Sequence, residues 1–422
     1  MTGPIDATIR PPGSKSITNR ALVCAALAEG RSTLTGALDS EDTRVMIAAL
    51  RELGIAVQVE DEGRTLQVEG CGGAIPAKQA DLFVANSGTT MRFLTALVSL
   101  GHGEYRLDGI ARMRERPIND LVHTLRWLGV RVEDNERIGY PPIVVYGQGL
   151  SGGVADISGD TSSQFLSGLL MSAPYARSPI ELRVLGQLVS VPYVDMTLKV
   201  MRDFGAEVDA HNGLRRIKVS NVDRYHGLNY EIEPDASAAS YFFAAAAITG
   251  GRITVEGLSS EALQGDVAFC KCLQRMGARV EYGPSNITIH GAPLTGVDVD
   301  MNAISDTVQT LSVVALFADG PTRIRNVAHI RHKETDRIAA TATELRKLGA
   351  TVKEFEDGLA IYPPKDPSGA EIDTYNDHRM AMSFALAGLR TPNVVIREPG
   401  CVGKTYPGFF GDLDRVVRGS AG

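Results

Sequence analysis

The strongest constraint on this chain is an internal repeat of roughly 71 residues. A helix pattern rich in small residues, opening with Ser, Thr, Asn or Asp, occurs six times at steps of 72, 75, 74, 70 and 71 residues. The six openings are Ser14, Asn86, Thr161, Asp235, Ser305 and Asn376. Self-similarity at a fixed period indicates one supersecondary unit that is repeated and stacked against its neighbours.

Each repeat contains a second helix pattern that ends in glycine and leads into an apolar strand. The closing glycines recur at steps of 75, 76, 72 and 72 residues and are Gly54, Gly129, Gly205, Gly277 and Gly349. Glycine suits the left-handed backbone position just past a helix C-terminus. The sixth repeat departs from this pattern, because its second helix, near residues 409–417, has no closing glycine and no following hairpin.

A β-rich run separates the two helices of every repeat. These runs are residues 32–38, 104–109, 180–186, 252–258, 322–327 and 393–397. With a strand before the first helix and a hairpin after the second, each repeat reads βαβαββ. The first helices carry few charges, which is typical of buried helices, whereas the second helices carry charge on one side. We therefore predict an α/β fold in which sheets wrap buried helices.

Chain length favours two domains over one. A single core seldom grows beyond ~250–300 residues, and this chain has 422. Three repeats would form each half, with a seam near residues 230–234, where Pro234 breaks the pattern before the fourth repeat. The alternative is one continuous solenoid of six repeats.

Composition argues against several classes of protein. A formal net charge of −7 gives no support for a nucleic-acid or anionic-membrane partner. The first twelve residues do not resemble a signal peptide, and the most apolar stretches are too short to span a bilayer. Five scattered cysteines argue against a disulfide framework and favour a reducing cytoplasm. No His, Cys or carboxylate cluster has a convincing metal spacing, so no metal site is expected.

Particular loops carry polar and charged residues that their counterparts in other repeats lack. Residues 12–20 place Lys15 and Arg20 at a helix start, where backbone N–H groups and the helix dipole favour an anion. This is not a Walker A loop, because Ser14 separates glycine from lysine. In the second repeat, Asn86 can cap a helix and Gly88 permits close approach of a ligand to the backbone.

The remaining candidates are donors, cations and carboxylates in later loops. Arg112, Arg114 and Arg116 precede a helix, and arginine is the preferred bidentate partner of phosphate and carboxylate. A carboxylate beside cations, such as Glu334, can be tuned for proton transfer. Each of these groups of residues also has a purely structural explanation, namely helix capping, a packed tyrosine or solvated ion pairs. The other candidates are Ser162, Ser163, Gln164, Ser190, Tyr193, Asp306, Lys333, Arg337, Arg379 and Lys404.

These motifs, in this order, resemble the signatures of the 5-enolpyruvylshikimate-3-phosphate synthase family. They are Gly-Ser-Lys-Ser at 13–16, Asn-Ser-Gly-Thr at 86–89, Arg-Met-Arg-Glu-Arg-Pro-Ile at 112–118, Ser-Ser-Gln-Phe at 162–165, Lys-Glu-Thr-Asp-Arg at 333–337 and Tyr-Asn-Asp-His-Arg-Met-Ala-Met at 375–382. The last two are long and specific, and the resemblance covers nearly the whole chain.

The resemblance implies a two-domain, inside-out α/β barrel with three βαβαββ repeats in each domain. The family's N-terminal strand crosses to the C-terminal domain. We therefore expect residues 14–232 to form the first domain and residues 1–13 plus 233–422 the second, with the active site in the cleft between them. A cytoplasmic monomer that requires no metal or other cofactor is also implied, as is glyphosate as the family's inhibitor.

The family's reaction transfers the enolpyruvyl group of phosphoenolpyruvate to the 5-hydroxyl of shikimate 3-phosphate in aromatic amino-acid biosynthesis. By motif match, the residues expected to meet shikimate 3-phosphate are Lys15, Ser16, Arg20, Ser162, Ser163, Gln164, Ser190, Tyr193, Asp306 and Lys333. Those expected to meet phosphoenolpyruvate are Lys15, Gly88, Arg116, Gln164, Arg337, Arg379 and Lys404. The residues expected to be catalytic are Asp306, Glu334 and Lys15.

Three positions depart from the best-known bacterial pattern of the family. His329 replaces an Asn, so no contact is carried over to it, while Ser87 and Phe93 replace Ala and Pro near the phosphoenolpyruvate loop and leave the response to glyphosate open. Two other functions remain possible readings. The first is the sister enzyme that acts on UDP-N-acetylglucosamine, which typically has a reactive Cys in the loop matching residues 111–118, where this chain has none. The second is a non-catalytic sensor of phosphorylated metabolites.

Overall fold

The computed structural model describes residues 3–134 and 136–419. Helices in this part of the chain alternate with short strands in the order that the repeat predicts. The α-helices are α1 Lys15–Leu27, α2 Glu41–Glu52, α3 Gly88–Leu97, α4 Asn119–Trp127, α5 Ser163–Ser172, α6 Val191–Asp203, α7 Ala236–Thr249, α8 Phe269–Arg275, α9 Val308–Val314, α10 Arg337–Lys347, α11 His378–Ala385 and α12 Phe409–Arg418.

The strands are two to seven residues long. They are β1 Asp6–Ile9, β2 Arg31–Thr35, β3 Val57–Glu60, β4 Thr65–Glu69, β5 Gln79–Phe83, β6 His102–Asp108, β7 Arg131–Glu133, β8 Ile143–Gln148, β9 Gly153–Ser158, β10 Ile180–Leu185, β11 Val208–His211, β12 Arg216–Val219, β13 Asn229–Glu231, β14 Arg252–Glu256, β15 Arg279–Tyr282, β16 Asn286–His290, β17 Leu294–Thr295, β18 Asp298–Asp300, β19 Ala318–Asp319, β20 Thr322–Arg325, β21 Thr351–Phe355, β22 Gly358–Tyr362, β23 Glu371–Ile372 and β24 Val395–Ile396.

One pairing scheme builds all the four-stranded sheets of the described chain. In each, one strand lies parallel to the strand after the first helix, and the following hairpin adds two antiparallel strands, as in β9-β10-β12-β11. The parallel strand directly precedes the first helix of its own repeat except in the first and fourth repeats, where β13 pairs with β2 and β1 pairs with β14. The other four-stranded sheets have the orders β13-β2-β4-β3, β5-β6-β8-β7, β1-β14-β16-β15 and β18-β20-β22-β21. The sixth repeat contributes only the parallel pair β23-β24, because no hairpin follows its second helix among the described residues.

Contacts divide the chain into two compact units. The N-unit is Gly13–Ile232, and the C-unit is Met1–Pro12 together with Glu233–Gly422. β1 pairs with β14 of the C-unit, while β13 pairs with β2 and completes the sheet of the first repeat in the N-unit. Gly13 falls in the N-unit, where its Cα lies so close to the carbonyl of Gly36 that a side chain would collide with it.

The first helix of each repeat is buried, as its small, apolar residues predict. Every residue of α7 is buried, and the helix lies in the core of the C-unit with Phe242 and Phe243. The second helices are amphipathic. In α2, Met46 and Leu50 face the core while Arg44 is exposed. The sequence therefore predicted correctly that sheet surrounds buried helices.

Helix caps lie at or next to the predicted openings. Ser14 and Asp235 cap α1 and α7 as expected, but Ser87, Ser162 and Asp377 cap α3, α5 and α11, one residue after the predicted Asn86, Thr161 and Asn376. The prediction for Asn86 was wrong because its carbonyl and side-chain oxygens accept hydrogen bonds from Arg116 instead. In the fifth repeat, a 3₁₀ segment Asn302–Thr307 precedes α9 and contains Ser305.

The five closing glycines have left-handed backbone angles, with φ between +81° and +117°. The prediction that the last helix lacks a closing glycine was wrong, since Gly419 stands at the C-cap of α12. Its φ is −60°, so it does not form the left-handed turn that leads into a hairpin elsewhere. Among residues 3–134 and 136–419, no helix combines the length and the apolar character needed to cross a bilayer, and all five cysteines are free thiols.

A glycine substitution tests the repeat's turn. Gly277 has φ +117°, and a Cβ there would lie 2.7 Å from the carbonyl oxygen of Pro293. We expect Gly277→Ala to lower the free energy of unfolding by about 1–3 kcal/mol, because it adds a clash to the cost of a left-handed backbone. Gly250→Ala is the matched control, with φ +69° and nothing within 4 Å of the added Cβ. Urea denaturation should show the smaller loss for Gly250→Ala, and equal losses would refute the role of the Pro293 contact.

Candidate active site

In the N-unit, Lys15 stands at the first turn of α1, directly after the cap Ser14. Its Nζ lies 3.3 Å from Asp42 Oδ2 on α2, and the Asp42 side chain is 3% exposed. The carboxylate therefore fixes the position of the ammonium group at a helix N-terminus. Sequence reasoning missed Asp42, since a carboxylate on the neighbouring helix carries no motif.

Arg20 is a buried cation that dipoles hold in place. Its guanidinium donates to Thr197 Oγ1 at 2.7 Å, to the Ser16 carbonyl at 2.9 Å and to the Tyr193 carbonyl at 3.0 Å. Burial lowers the pKa of Arg20 to about 10, which leaves it charged at neutral pH. Among the described residues no carboxylate forms an ion pair with it, so its charge is not cancelled locally.

Arg116 and Gly88 form a second cationic corner of the N-unit. Arg116 is buried and donates through Nη1 to the Asn86 carbonyl at 2.9 Å. A Cβ on Gly88 would collide with the guanidinium groups of both Arg116 and Arg92, so any side chain there would push them aside. The other two arginines of the same loop differ, because Arg112 and Arg114 form ion pairs with Glu115 and Asp108 near the surface.

The uncharged candidates of the N-unit lie mostly at the starts of α5 and α6. Ser162 caps α5 and accepts from the Gln164 backbone, and Gln164 Nε2 donates to Thr89 Oγ1 of α3 at 3.2 Å. Ser190 precedes α6 with a left-handed backbone, φ +52°, and its carbonyl accepts from the Tyr193 N–H. The Arg20 guanidinium lies 5.9 Å from the Tyr193 ring and 5.3 Å from the Phe93 ring.

The tertiary fold brings these residues of the N-unit together from three repeats. Arg20 on α1 contacts Thr197 on α6 and Ser167 on α5, and Gln164 links α5 to α3. The starts of several helices thus lie beside two buried guanidinium groups. Such an arrangement attracts anions, because helix N-termini and cations both contribute positive potential.

In the C-unit, Arg337 at the start of α10 is the centre of a charge network. Its guanidinium is 2% exposed and lies 2.7 Å from Asp377, 2.9 Å from Glu334 and 3.1 Å from Asp306. Burial by itself lowers the pKa of Arg337, but the three carboxylates outweigh burial and raise it above its ordinary value. Arg337 is therefore a permanent cation.

Three further cations complete this network of the C-unit. Arg379 Nη2 lies 2.7 Å from Asp306 Oδ2, Lys333 Nζ lies 4.0 Å from Asp306 Oδ1, and Lys404 Nζ lies 3.9 Å from Glu334 Oε1. With Arg337, four cations face the three carboxylates of Asp306, Glu334 and Asp377. Four cations that converge in a largely buried setting, two of them arginines, can hold an anionic group.

Two titratable groups adjoin the network. Burial, aided by the charge of Lys333, lowers the pKa of His329 to about 3, so its imidazole is neutral at physiological pH. Burial and the charge of Asp306 raise the pKa of Asp266 to about 6, and its carboxylate accepts a hydrogen bond from Ser237. Asp266 can therefore hold a proton in mildly acidic solution.

Several supporting residues had weak signals in the sequence or none. Asp377 lies inside the Asn-Asp-His-Arg motif, which could have identified it, but nothing local marks its role as the buried partner of Arg337. Thr89, Ser167, Thr197 and Tyr241 also contact candidate residues through hydrogen bonds. Within the described ranges, no group of three or more His, Cys, Asp or Glu residues has an arrangement that could hold a metal ion.

Comparisons with known proteins agree along the whole chain. The family model for EPSP synthase (3-phosphoshikimate 1-carboxyvinyltransferase) matches residues 1–413. The 3-phosphoshikimate 1-carboxyvinyltransferase of Trichormus variabilis is 51% identical over 419 residues, covering 99% of this chain and 98% of the relative. The chloroplastic 3-phosphoshikimate 1-carboxyvinyltransferase of Solanum lycopersicum is 47% identical over 431 residues, covering 98% of this chain and 83% of the relative.

Solved structures show the same architecture. The EPSP synthase of Acinetobacter baumannii superposes with a TM-score of 0.80 at 27% identity, covering 98% of this chain and 96% of that chain. The enolpyruvyl transferase NikO of Streptomyces tendae, with a TM-score of 0.79 at 20% identity and coverage of 98% and 95%, shares the fold. On the family match and the full-length identity, the chain belongs to the EPSP synthase family.

Proposed function

We propose that this chain transfers the enolpyruvyl group of phosphoenolpyruvate to the 5-hydroxyl of shikimate 3-phosphate and releases phosphate. The observation that carries the proposal is the convergence of buried cations in both units, at Arg20 in the N-unit and around Arg337 in the C-unit. Both substrates are multiply anionic at neutral pH, so they need such cations. The names of the full-length relatives support the same reaction.

We assign the two substrates to the residues of both units. Shikimate 3-phosphate would contact Lys15, Ser16, Arg20, Ser162, Ser163, Gln164, Ser190, Tyr193, Asp306 and Lys333. Phosphoenolpyruvate would contact Lys15, Gly88, Arg116, Gln164, Arg337, Arg379 and Lys404. Hydroxyl and amide groups suit the ring hydroxyls of shikimate, whereas paired guanidinium groups suit carboxylate and phosphate.

The reaction begins with protonation of phosphoenolpyruvate. Glu334 is the proposed acid that gives a proton to the methylene carbon, which becomes a methyl group and leaves C2 cationic. Glu334 is buried and lies near Lys404 and Arg337, the cations assigned to phosphoenolpyruvate. This contact would place the acid beside the substrate that it protonates.

The 5-hydroxyl oxygen of shikimate 3-phosphate then forms a bond to C2. Asp306 or Lys333 takes the hydroxyl proton, and their charged groups lie 4.0 Å apart on the same side of the network. A tetrahedral adduct results. Phosphate then leaves, aided by a proton from Lys15 to the leaving oxygen, while a methyl proton returns to the Glu334 carboxylate, and the enolpyruvyl ether forms.

The proposal extends to the setting of the enzyme. We propose that it acts as a monomer in the cytoplasm, with no metal or cofactor and without nucleic-acid or membrane partners. The formal net charge of −7 supports the last point, because non-specific binding to polyanions favours basic proteins.

Phosphate release tests the substrate assignment. With phosphoenolpyruvate present, we expect rapid release of phosphate on addition of shikimate 3-phosphate and none with UDP-N-acetylglucosamine. Residues 111–118 contain no cysteine to serve the second reaction. Release with the sugar nucleotide would identify the sister activity, and release with neither would favour a non-catalytic sensor.

Glu334→Gln tests the proposed acid. The variant keeps the side-chain shape, so we expect KM for both substrates to change little while kcat falls about 10²–10⁴-fold, the range for a general acid–base step. Glu354→Gln is the matched control, since Glu354 is exposed on β21 and pairs with Arg331. Near-normal turnover of Glu334→Gln in steady-state kinetics would reject the assignment.

Gly88→Ala tests the cationic corner of the N-unit. The added methyl group would displace the guanidinium groups of Arg116 and Arg92. Arg116 is assigned to phosphoenolpyruvate. We therefore expect the KM for phosphoenolpyruvate to rise by about tenfold or more, equivalent to roughly 1.4 kcal/mol, and the KM for shikimate 3-phosphate to change less. Gly411→Ala has nothing within 4 Å of the new Cβ and serves as the control. An unchanged KM for phosphoenolpyruvate would remove Gly88 from the site.

A further inference from the structure

The outer face of one sheet in the C-unit contains a groove that the proposed reaction does not use. The groove has a volume of about 480 Å³ and lies on the sheet β18-β20-β22-β21. Its lining includes Pro321, Arg323, Lys353, Phe355 and Tyr362. Sites for small molecules typically measure ~300–1,000 Å³, so the groove is large enough for one.

Ala360 on the middle strand forms the floor of the groove, and a second small residue, Gly358, stands two positions before it. Ala360 on β22 lies opposite both Arg323 on β20 and Lys353 on β21, and Gly358 lies opposite Phe355. Since neither small residue fills the space between its neighbours, the longer side chains on β20 and β21 form the walls. At the matching position of another sheet, Arg183 lies opposite Arg216, which is too large to leave such a space.

Two cations share one aromatic ring in these walls. The Arg323 guanidinium lies 5.0 Å and the Lys353 Nζ 5.1 Å from the centre of the Phe355 ring. Within the described residues, neither cation forms an ion pair with a carboxylate. Asp298 also lines the groove, but its carboxylate is 2.6 Å from Arg325 Nε and is neutralised there.

Arg323 is exceptional among the strand arginines of the described chain. The others form ion pairs with carboxylates on the same or a neighbouring strand, as Arg216 does with Glu181, Arg183 with Asp156 and Arg252 with Asp6. This pattern neutralises the outer faces of the other four-stranded sheets. The groove therefore differs from the outer faces of the other sheets, because its two cations contact an aromatic ring and form no ion pair with a carboxylate within the described residues.

We propose that this groove binds a small organic anion that has a planar ring and a phosphate group, the chemistry of a nucleoside monophosphate. Arg323 and Lys353 would bind the phosphate from opposite walls, since both reach the same ring across the floor at Ala360. Tyr362, which is 46% exposed, offers a ring for stacking and a hydroxyl group. The site would be additional to the substrate contacts proposed above.

Calorimetric titration of the full-length protein with adenosine 5′-monophosphate tests this site, with adenosine and inorganic phosphate as partial probes. We expect one site for the nucleotide, with adenosine and phosphate each binding at least about tenfold more weakly, a difference of roughly 1.4 kcal/mol. Nucleotide binding no tighter than that of phosphate would overturn the proposed role of the ring.

Variants locate the binding. The double substitution Arg323→Gln with Lys353→Gln removes the cations, and Ala360→Gln fills the floor while leaving both cations in place. Each should weaken nucleotide binding by about tenfold or more, and the double variant should leave phosphate release from the enzyme's substrates unchanged. Arg279→Gln, on the exposed strand β15, is the matched control. Undiminished nucleotide binding in the double variant would place the nucleotide elsewhere and refute the proposal. Urea denaturation of Ala360→Gln checks that its core remains folded.

Discussion

The buried charge of Arg337 is the constraint around which the C-unit is organised. A guanidinium group removed from water costs several kcal/mol unless carboxylates and hydrogen bonds compensate it. Asp377, Glu334 and Asp306 provide that compensation from three different parts of the chain. Because Asp377 caps α11 while Arg337 begins α10, satisfying one cation also fixes the relative placement of two helix starts. Arg379 and Lys404 contact Asp306 and Glu334, so several cations converge on the same carboxylates.

The N-unit also buries a guanidinium group, that of Arg20, but stabilises it in a different way. Arg20 is compensated by hydroxyl and carbonyl oxygens of Ser16, Ser167, Tyr193 and Thr197 instead of by carboxylates. Dipoles stabilise a cation without cancelling its charge, so its potential remains available to an anion. This explains how a chain with a formal net charge of −7 can contain strongly cationic clusters. The net charge is a sum over the whole chain, whereas binding of an anion depends on a few cations that are largely buried.

The repeat supplies a frame on which the loops can differ. In the C-unit, the buried first helices meet through hydroxyl groups: Ser240 lies 3.3 Å from Thr310, which lies 3.2 Å from Ser383. Such contacts let helices approach closely and satisfy their polar atoms without water. The loops before these helices do not take part in these helix contacts, and they carry the charged residues. A repeat fold can thus change its chemistry at one end of the helices while its core stays the same.

The sequence by itself determined the repeat, the buried helices, the closing glycines and most of the candidate side chains. Periodicity and small-residue helices are local properties, so they could be predicted without tertiary information. The structure alone decided that Arg116 is buried while Arg112 and Arg114 pair at the surface, although the three stand within five residues. It also decided that Ser87 rather than Asn86 caps α3, and that Asp42 and Asp377 hold Lys15 and Arg337. These outcomes depend on which residue a side chain contacts in the folded protein. Because such partners are often tens of residues away in the sequence, no local sequence pattern identifies them.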